Sequence, residues 1–303
     1  MKYSNVVVAG GGVLGSQIAF QAAYCGFNVT IWLRSEGSIG RTQPKIDHLK
    51  QTYIEAIEKM AEDKNAWCAG LADEDTFDKE ECLKKVENAY ANLKLELDMA
   101  KAVADADLVI ESMAENEKDK IAFYEKLSPL LPDKTVIVTN SSTLLPSMFA
   151  KYTGRPDKYL SLHFANSIWK NNTAEVMTQA QTDEKYFNEV MQFANDIRMI
   201  GLPVRKEKSG YLLNSMLVPF RRALKSDYQP DRTIPREMRV KHLKRMISES
   251  RDVFLKYYHP VFKTDKLGKV LLGFNCYILY DFYIRLLFRL NIGPVFYGPK
   301  HMY

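Results

Sequence analysis

The stretch VVVAGGGVLG, from Val6 to Gly15, is the part of the chain whose reading decides the fold. Val6 to Ala9 is a short β-branched apolar run. From Val13 to Ala23 the spacing turns helical with small residues on one side, so the order is strand, tight turn, helix. Gly10, Gly12 and Gly15 stand at Gly-x-Gly-x-x-Gly spacing, and in that setting each glycine has a mechanical task. Gly10 makes the turn, Gly12 lets the backbone approach a pyrophosphate, and Gly15 lets helix and strand pack closely. The free amides of the first helical turn, at Val13, Leu14 and Gly15, then face the phosphate. A further strand at Val29 to Leu33 completes the unit, which reads as a dinucleotide cradle.

The end of that second strand bears on the choice of dinucleotide. NAD is ordinarily held there by an acid on the ribose hydroxyls. This chain runs Val29, Thr30, Ile31, Trp32, Leu33, Arg34, Ser35, with no Asp or Glu at that place. Without the acid nothing repels a 2′-phosphate, and Arg34 with Ser35, helped by Arg41, suits one. The expectation is NAD(P), leaning to NADP. The alternative is that Arg34 stacks on the adenine or lies in solvent.

A chain of 303 residues, 46% hydrophobic and 26% charged, is globular and long enough for two domains with sizeable cores. The N-terminus enters a strand at once, without the charged and apolar regions of a signal peptide, so a cytoplasmic protein is expected. Cys25, Cys68, Cys82 and Cys276 have no metal-like spacing and read as reduced packing residues; no metal is expected. Charge divides the chain. From Arg205 onward 20 Lys and Arg face 8 Asp and Glu, a net of +12, which leaves 22 against 29, or −7, before it. A basic back half suits a phosphate-rich substrate or an anionic surface, and no nucleic-acid recognition module accompanies it.

After the second strand, helical patterns at Lys45 to Lys64, Lys79 to Val86, Met99 to Ala104, Lys118 to Leu131 and Glu184 to Ile200 alternate with apolar runs. Those runs lie at Leu108 to Ile110, Thr135 to Val138, Leu160 to Phe164, Glu175 to Met177 and Gly201 to Val204, with a polar-apolar alternation at Leu93 to Leu97. Such alternation predicts an α/β fold, a Rossmann-type doubly wound parallel sheet covered on both faces. Residues 1–204 form this domain, followed by a smaller, mainly α-helical domain over 205–303.

His163 lies at the end of a predicted strand, where open α/β sheets place their ligands. Glu175 follows at the start of another. Hydride transfer at a carbonyl carbon must be matched by a proton on the oxygen. A His supplies that proton near neutral pH, and a carboxylate on its far nitrogen fixes the tautomer and supports the imidazolium. A structural His bonded to backbone is the alternative, which the upstream cofactor motif disfavours.

In five ordered blocks the chain resembles the L-3-hydroxyacyl-CoA dehydrogenase family, from Met1 to about Phe220. These are the glycine turn, ESMAENEKDK at Glu111 to Lys120, TNSST at Thr139 to Thr143, HFANSIWKNNTAE at His163 to Glu175, and GYLLNSMLVPF at Gly210 to Phe220. The resemblance implies that His163 and Glu175 are the acid/base dyad, that Ser142 bonds the substrate oxygen and that Asn214 assists the dyad. It also implies that Glu115, Lys120 and Asn140 lie on the cofactor, that the substrate is of acyl-CoA type and that the protein is a homodimer. An ordinary solvated helix start remains open for Glu115 and Lys120.

The chain also departs from that pattern. The family usually has an aromatic residue and a proline after its His-Phe pair, where this chain has Ala165 and Ser167, a change that reshapes the acyl pocket. Beyond Phe220 the resemblance fades into Arg221 and Arg222, a polar break and a basic helix near Arg236 to Phe254. From Val270 to Leu290 the chain is apolar and aromatic but carries Asp281 and Arg285, each costing roughly 2.5 to 3.5 kcal/mol at a bilayer centre. A buried core or dimer helix is favoured there over contact with a membrane surface. The expected function is interconversion of 3-hydroxyacyl-CoA and 3-oxoacyl-CoA with NAD(P). Two alternatives stand beside it: a dehydrogenase of a small free hydroxy acid, and a dinucleotide-binding protein without catalysis.

Overall fold

The computed structural model describes residues 2–207, with 270, 271, 278 and 279. The chain divides into two compact units, Met1–Leu212 and Leu213–Tyr303, and the sheet belongs to the first. The expected helical domain, Asn214, Cys276 and the basic and aromatic stretches of the C-terminal part fall outside the described residues, apart from those four positions. Among the described residues no helix is long and apolar enough to cross a membrane.

The strands are β1 (Asn5–Ala9), β2 (Asn28–Trp32), β3 (Lys94–Glu96), β4 (Leu108–Glu111), β5 (Val136–Thr139), β6 (Tyr159–Phe164), β7 (Thr173–Met177) and β8 (Ile200–Val204). The helices are α1 (Val13–Tyr24), α2 (Glu36–Glu62), α3 (Lys79–Asn92), α4 (Met99–Val103), α5 (Glu117–Leu127) and α6 (Glu184–Asp196). One sheet holds all eight strands in the order β3-β2-β1-β4-β5-β6-β7-β8. Because β1 lies between β2 and β4, the chain leaves it first one way and later the other. This reversal opens a crevice at the strands' C-terminal ends.

Residues alternate along each strand between two cores. Val6, Val8, Ile31, Ile110, Val138 and Leu162 meet α1, α2, α3 and α6 on one face, while Val7, Ala9, Val109 and Ile137 meet α4 and α5 on the other. Being covered on both faces, β4, β5 and β6 are buried along their whole length, as the apolar runs of an α/β sheet require.

Two elements differ from the sequence expectation. The sheet is parallel except at β6 and β7, which run antiparallel. Only residues 165–172 join these strands, too few for the dozen or more that a parallel crossover needs. Helix α2 begins nine residues before Lys45 and passes through Pro44. Its buried stripe is Thr42, Ile46, Leu49, Tyr53, Ile57 and Met60, so the first two turns bury almost nothing and leave no apolar period to read.

The helical layer is pinned by a buried polar group. Gln21, on α1, donates to the carbonyls of Gly70 at 2.8 Å and Ile197 at 3.0 Å, and accepts the Tyr53 hydroxyl at 2.7 Å. Cys25, Cys68 and Cys82 carry free thiols; burial pushes the Cys25 thiol up to about 12. Tyr53→Phe strips the buried Gln21 oxygen of its donor and is expected to lower stability by roughly 1–3 kcal/mol in urea unfolding. An unchanged midpoint would contradict this account. Burial also holds the Tyr53 phenol well above its ordinary 10.0. Below pH 10 the phenol is neutral folded or unfolded, and above it only the unfolded form ionises. Wild-type stability therefore declines as pH rises past 10, more steeply than that of the Phe variant.

Candidate functional site

The glycine turn sits where β1 delivers the chain into α1. Gly10 has φ +117°, and a Cβ there would lie 2.5 Å from the Ser112 carbonyl oxygen. At Gly15 a Cβ would lie 2.1 Å from the Gly10 oxygen, so helix and turn touch backbone to backbone. Gly12 differs: a Cβ built there meets no protein atom within 4 Å. It is the N-cap of α1, which has no side-chain cap bond and no acid in its first turn. The amides of Val13, Leu14 and Gly15 thus carry the positive helix end outward at a backbone that nothing in the described protein covers. These features fit a dinucleotide pyrophosphate.

Beyond β2, Leu33 turns into the core and Arg34 and Ser35 are exposed. Ser35 is the N-cap of α2, yet its hydroxyl lies 3.0 Å from Ser38 Oγ, which also accepts Arg41 Nη2 at 2.9 Å. Hydroxyls and an arginine therefore gather at a helix N-terminus beside Arg34. Glu36 in the same first turn is the opposing charge.

Antiparallel pairing of β6 with β7 sets His163 directly opposite Glu175. Opposed residues share a face of the sheet, so their side chains meet. His163 Nδ1 lies 2.9 Å from Glu175 Oε2, and Ser142 Oγ lies 3.2 Å from Nε2 on the other side of the ring. Both members of the dyad are buried. A carboxylate against Nδ1 places the proton on that nitrogen and leaves Nε2 facing the serine.

The remaining expected residues divide. Glu115 accepts the Ser142 amide at 2.6 Å and Ser141 Oγ at 2.7 Å, so it orders the serine loop and is no plain solvated helix start. Asn140 Oδ1 accepts the Phe164 amide at 3.1 Å, and its Nδ2 lies 3.3 Å from Ser112 Oγ, which joins the end of β6 to the loop beside the glycine turn. Lys120 is not a solvated helix start, because it is fully buried. It shares the buried stripe of α5 with Tyr124 and Leu127 and binds both oxygens of Glu111, at 2.6 and 2.7 Å. Glu111 itself escaped the sequence reading, although a carboxylate ending the apolar strand LVIE was a signal that a buried partner must exist. Ser167 adopts φ +58° and donates its amide to Gln17 Oε1 at 2.8 Å. A proline, with φ near −65° and no N–H, could do neither.

Residues 5–208 match the family model described as 3-hydroxyacyl-CoA dehydrogenase, NAD binding domain. Mitochondrial hydroxyacyl-coenzyme A dehydrogenase of Rattus norvegicus is 28% identical over 216 residues, covering 71% of this chain and 63% of the relative. A 3-hydroxybutyryl-CoA dehydrogenase of Clostridioides difficile is 27% identical over 71% of this chain and 68% of its own. The chain thus spans less than two thirds of the mammalian relative. Among solved structures, a diketoreductase described as catalysing reactions of dicarbonyl compounds is 40% identical, with a TM-score of 0.65 over 80% of this chain and 79% of that one. The family match runs from β1 past β8, across the glycine turn, Ser142, His163 and Glu175, and on that ground this chain belongs to the 3-hydroxyacyl-CoA dehydrogenase family through its NAD-binding domain.

Proposed function

We propose that the protein is an NAD(P)-dependent oxidoreductase interconverting a 3-hydroxyacyl and a 3-oxoacyl thioester. The observation that carries this reading is the row Ser142, His163, Glu175, with 3.2 Å and 2.9 Å on the two sides of the imidazole. A nicotinamide supplies or accepts the hydride at the substrate carbonyl carbon. In the reducing direction His163 enters protonated and gives the Nε2 proton to the carbonyl oxygen, so that hydride and proton together make the alcohol. Glu175 holds the Nδ1 proton and supports the imidazolium before that transfer. Ser142, at Nε2, is placed to donate to the same oxygen and polarise it. Gly12 and the first amides of α1 hold the pyrophosphate.

Arg34 and Arg41, with Ser35 and Ser38 at the α2 N-terminus, form the proposed 2′-phosphate site. NADP is the preferred cofactor in this reading, and reduction the physiological direction. A second reading rests on the 40% identity to the diketoreductase, above the 28% to the mitochondrial enzyme: a dicarbonyl substrate that carries no coenzyme A.

Oxidation of NADPH and of NADH by the purified protein, with acetoacetyl-CoA and with a free β-dicarbonyl ester, separates these readings. His163→Ala is expected to lower kcat about 10²- to 10⁴-fold with the preferred substrate. Dinucleotide binding without turnover of either compound would leave only a binding protein. Arg34→Ala should raise the KM for NADPH on the order of tenfold, the worth of one charge-assisted phosphate contact, and leave that for NADH nearly unchanged. Equal effects on both cofactors, or selective use of NADH by the wild type, would exclude the 2′-phosphate site.

A further inference from the structure

Three neighbouring strands end around one buried carboxylate. Glu111 closes β4 beside Ala9 of β1 and Thr139 of β5. Its Oε1 accepts the Met113 amide at 2.7 Å and Lys120 Nζ at 2.6 Å. Its Oε2 accepts Lys120 Nζ and Thr139 Oγ1, each at 2.7 Å, and the Tyr124 hydroxyl at 3.2 Å. Carboxylate and ammonium are both fully buried. Such a pair adds little net stability over apolar residues of the same volume, so stability alone does not account for it. What it does supply is geometry.

The carboxylate fixes two loops. Through Met113 it holds the chain after β4, which packs on the glycine turn at the Ser112 carbonyl. Through Thr139 it holds the chain after β5, because Thr139 Oγ1 donates to Glu111 and accepts the Ser141 amide at 3.1 Å. The two loops then join, with Ser141 Oγ and the Ser142 amide both donating to Glu115. At the end of this chain of bonds stands Ser142 Oγ, at His163 Nε2.

We infer that Glu111, acting through Thr139, is a positioning residue that sets the Ser142 hydroxyl against His163 Nε2 and so aligns the oxygen-binding group with the proton donor. The inference rests on the functional reading of Ser142 and His163 given above. It separates the glycine cradle, which binds, from the serine loop, which aligns.

The test uses the full chain with Thr139→Val, Thr139→Ser, Ser142→Ala and the double variant Thr139→Val with Ser142→Ala. Valine keeps the shape of threonine and loses the hydroxyl; serine keeps the hydroxyl and loses a methyl. Positioning through the hydroxyl predicts that Thr139→Val lowers kcat about tenfold while dinucleotide affinity by fluorescence titration is retained, and that Thr139→Ser stays near wild type. The double variant should be no slower than Ser142→Ala, since Thr139 acts only through that serine. Equal losses in the valine and serine variants, or losses that multiply in the double variant, would overturn the inference. If Ser142→Ala turns over as fast as wild type, the reading of Ser142 fails first, and the positioning role fails with it.

Discussion

The site depends on the register of the sheet. Backbone pairing sets Ala9 beside Glu111, Glu111 beside Thr139, and Thr139 beside Ser161, so β1, β4 and β5 finish at one level and β6 runs three residues beyond it to Phe164. The glycine turn, the loop after β4 and the serine loop after β5 all emerge there, beside the last residues of β6. A slip of one residue between β6 and its neighbours would turn His163 to the opposite face. The same slip against β7 would separate it from Glu175. These pairings belong to buried strands, where each face is filled by its own apolar set, so the alternative registers are strongly disfavoured.

Buried charge next to this edge fits the same constraint. A carboxylate with four kinds of donor around it, Lys120, Tyr124, Thr139 and the Met113 amide, has its lone pairs occupied. Removing Lys120 would leave the buried charge of Glu111 uncompensated, which is where the large penalties lie. The tyrosine shares in this: burial, with Tyr159 and Glu111 beside it, holds the Tyr124 phenol well above its ordinary value, so it remains a hydroxyl donor. The carboxylate therefore tolerates few arrangements of the loops it bonds.

Most of the sheet domain is legible in the sequence because its signals are local. β-branched runs of four or five residues and the glycine spacing at Gly10, Gly12 and Gly15 need no tertiary knowledge. His163 and Glu175 are readable as a pair, each lying on an apolar run that ends or begins a strand. The antiparallel turn of β7 was present in the eight-residue link and was masked by the α/β alternation around it. The burial of Lys120 was unreadable for a different reason. The residue sits in ESMAENEKDK, whose composition is that of a solvated surface, and only the fold shows that one of its lysines lies on the stripe of Tyr124 and Leu127. Ser35 and Arg41 are readable as a group beside Arg34, and the early start of α2 adds Ser38 between them.

Family membership fixes less of the substrate than of the chemistry. In the proposed reaction Ser142, His163 and Glu175 would act on a carbonyl oxygen, an arrangement that by itself addresses neither a thioester nor a coenzyme A. Discrimination must come from surfaces around that oxygen. One of these is the link 165–172, which leaves β6 directly after His163 and Phe164, carries Ser167 in a left-handed conformation and is tied to α1 by the bond to Gln17. Its backbone course is one that a proline at that position could not follow. A relative with that proline must lead its chain away from the dyad differently, even where its catalytic side chains coincide. A shared reacting centre with a different exit from it is the arrangement expected when one proton-and-hydride chemistry serves different carbonyl compounds.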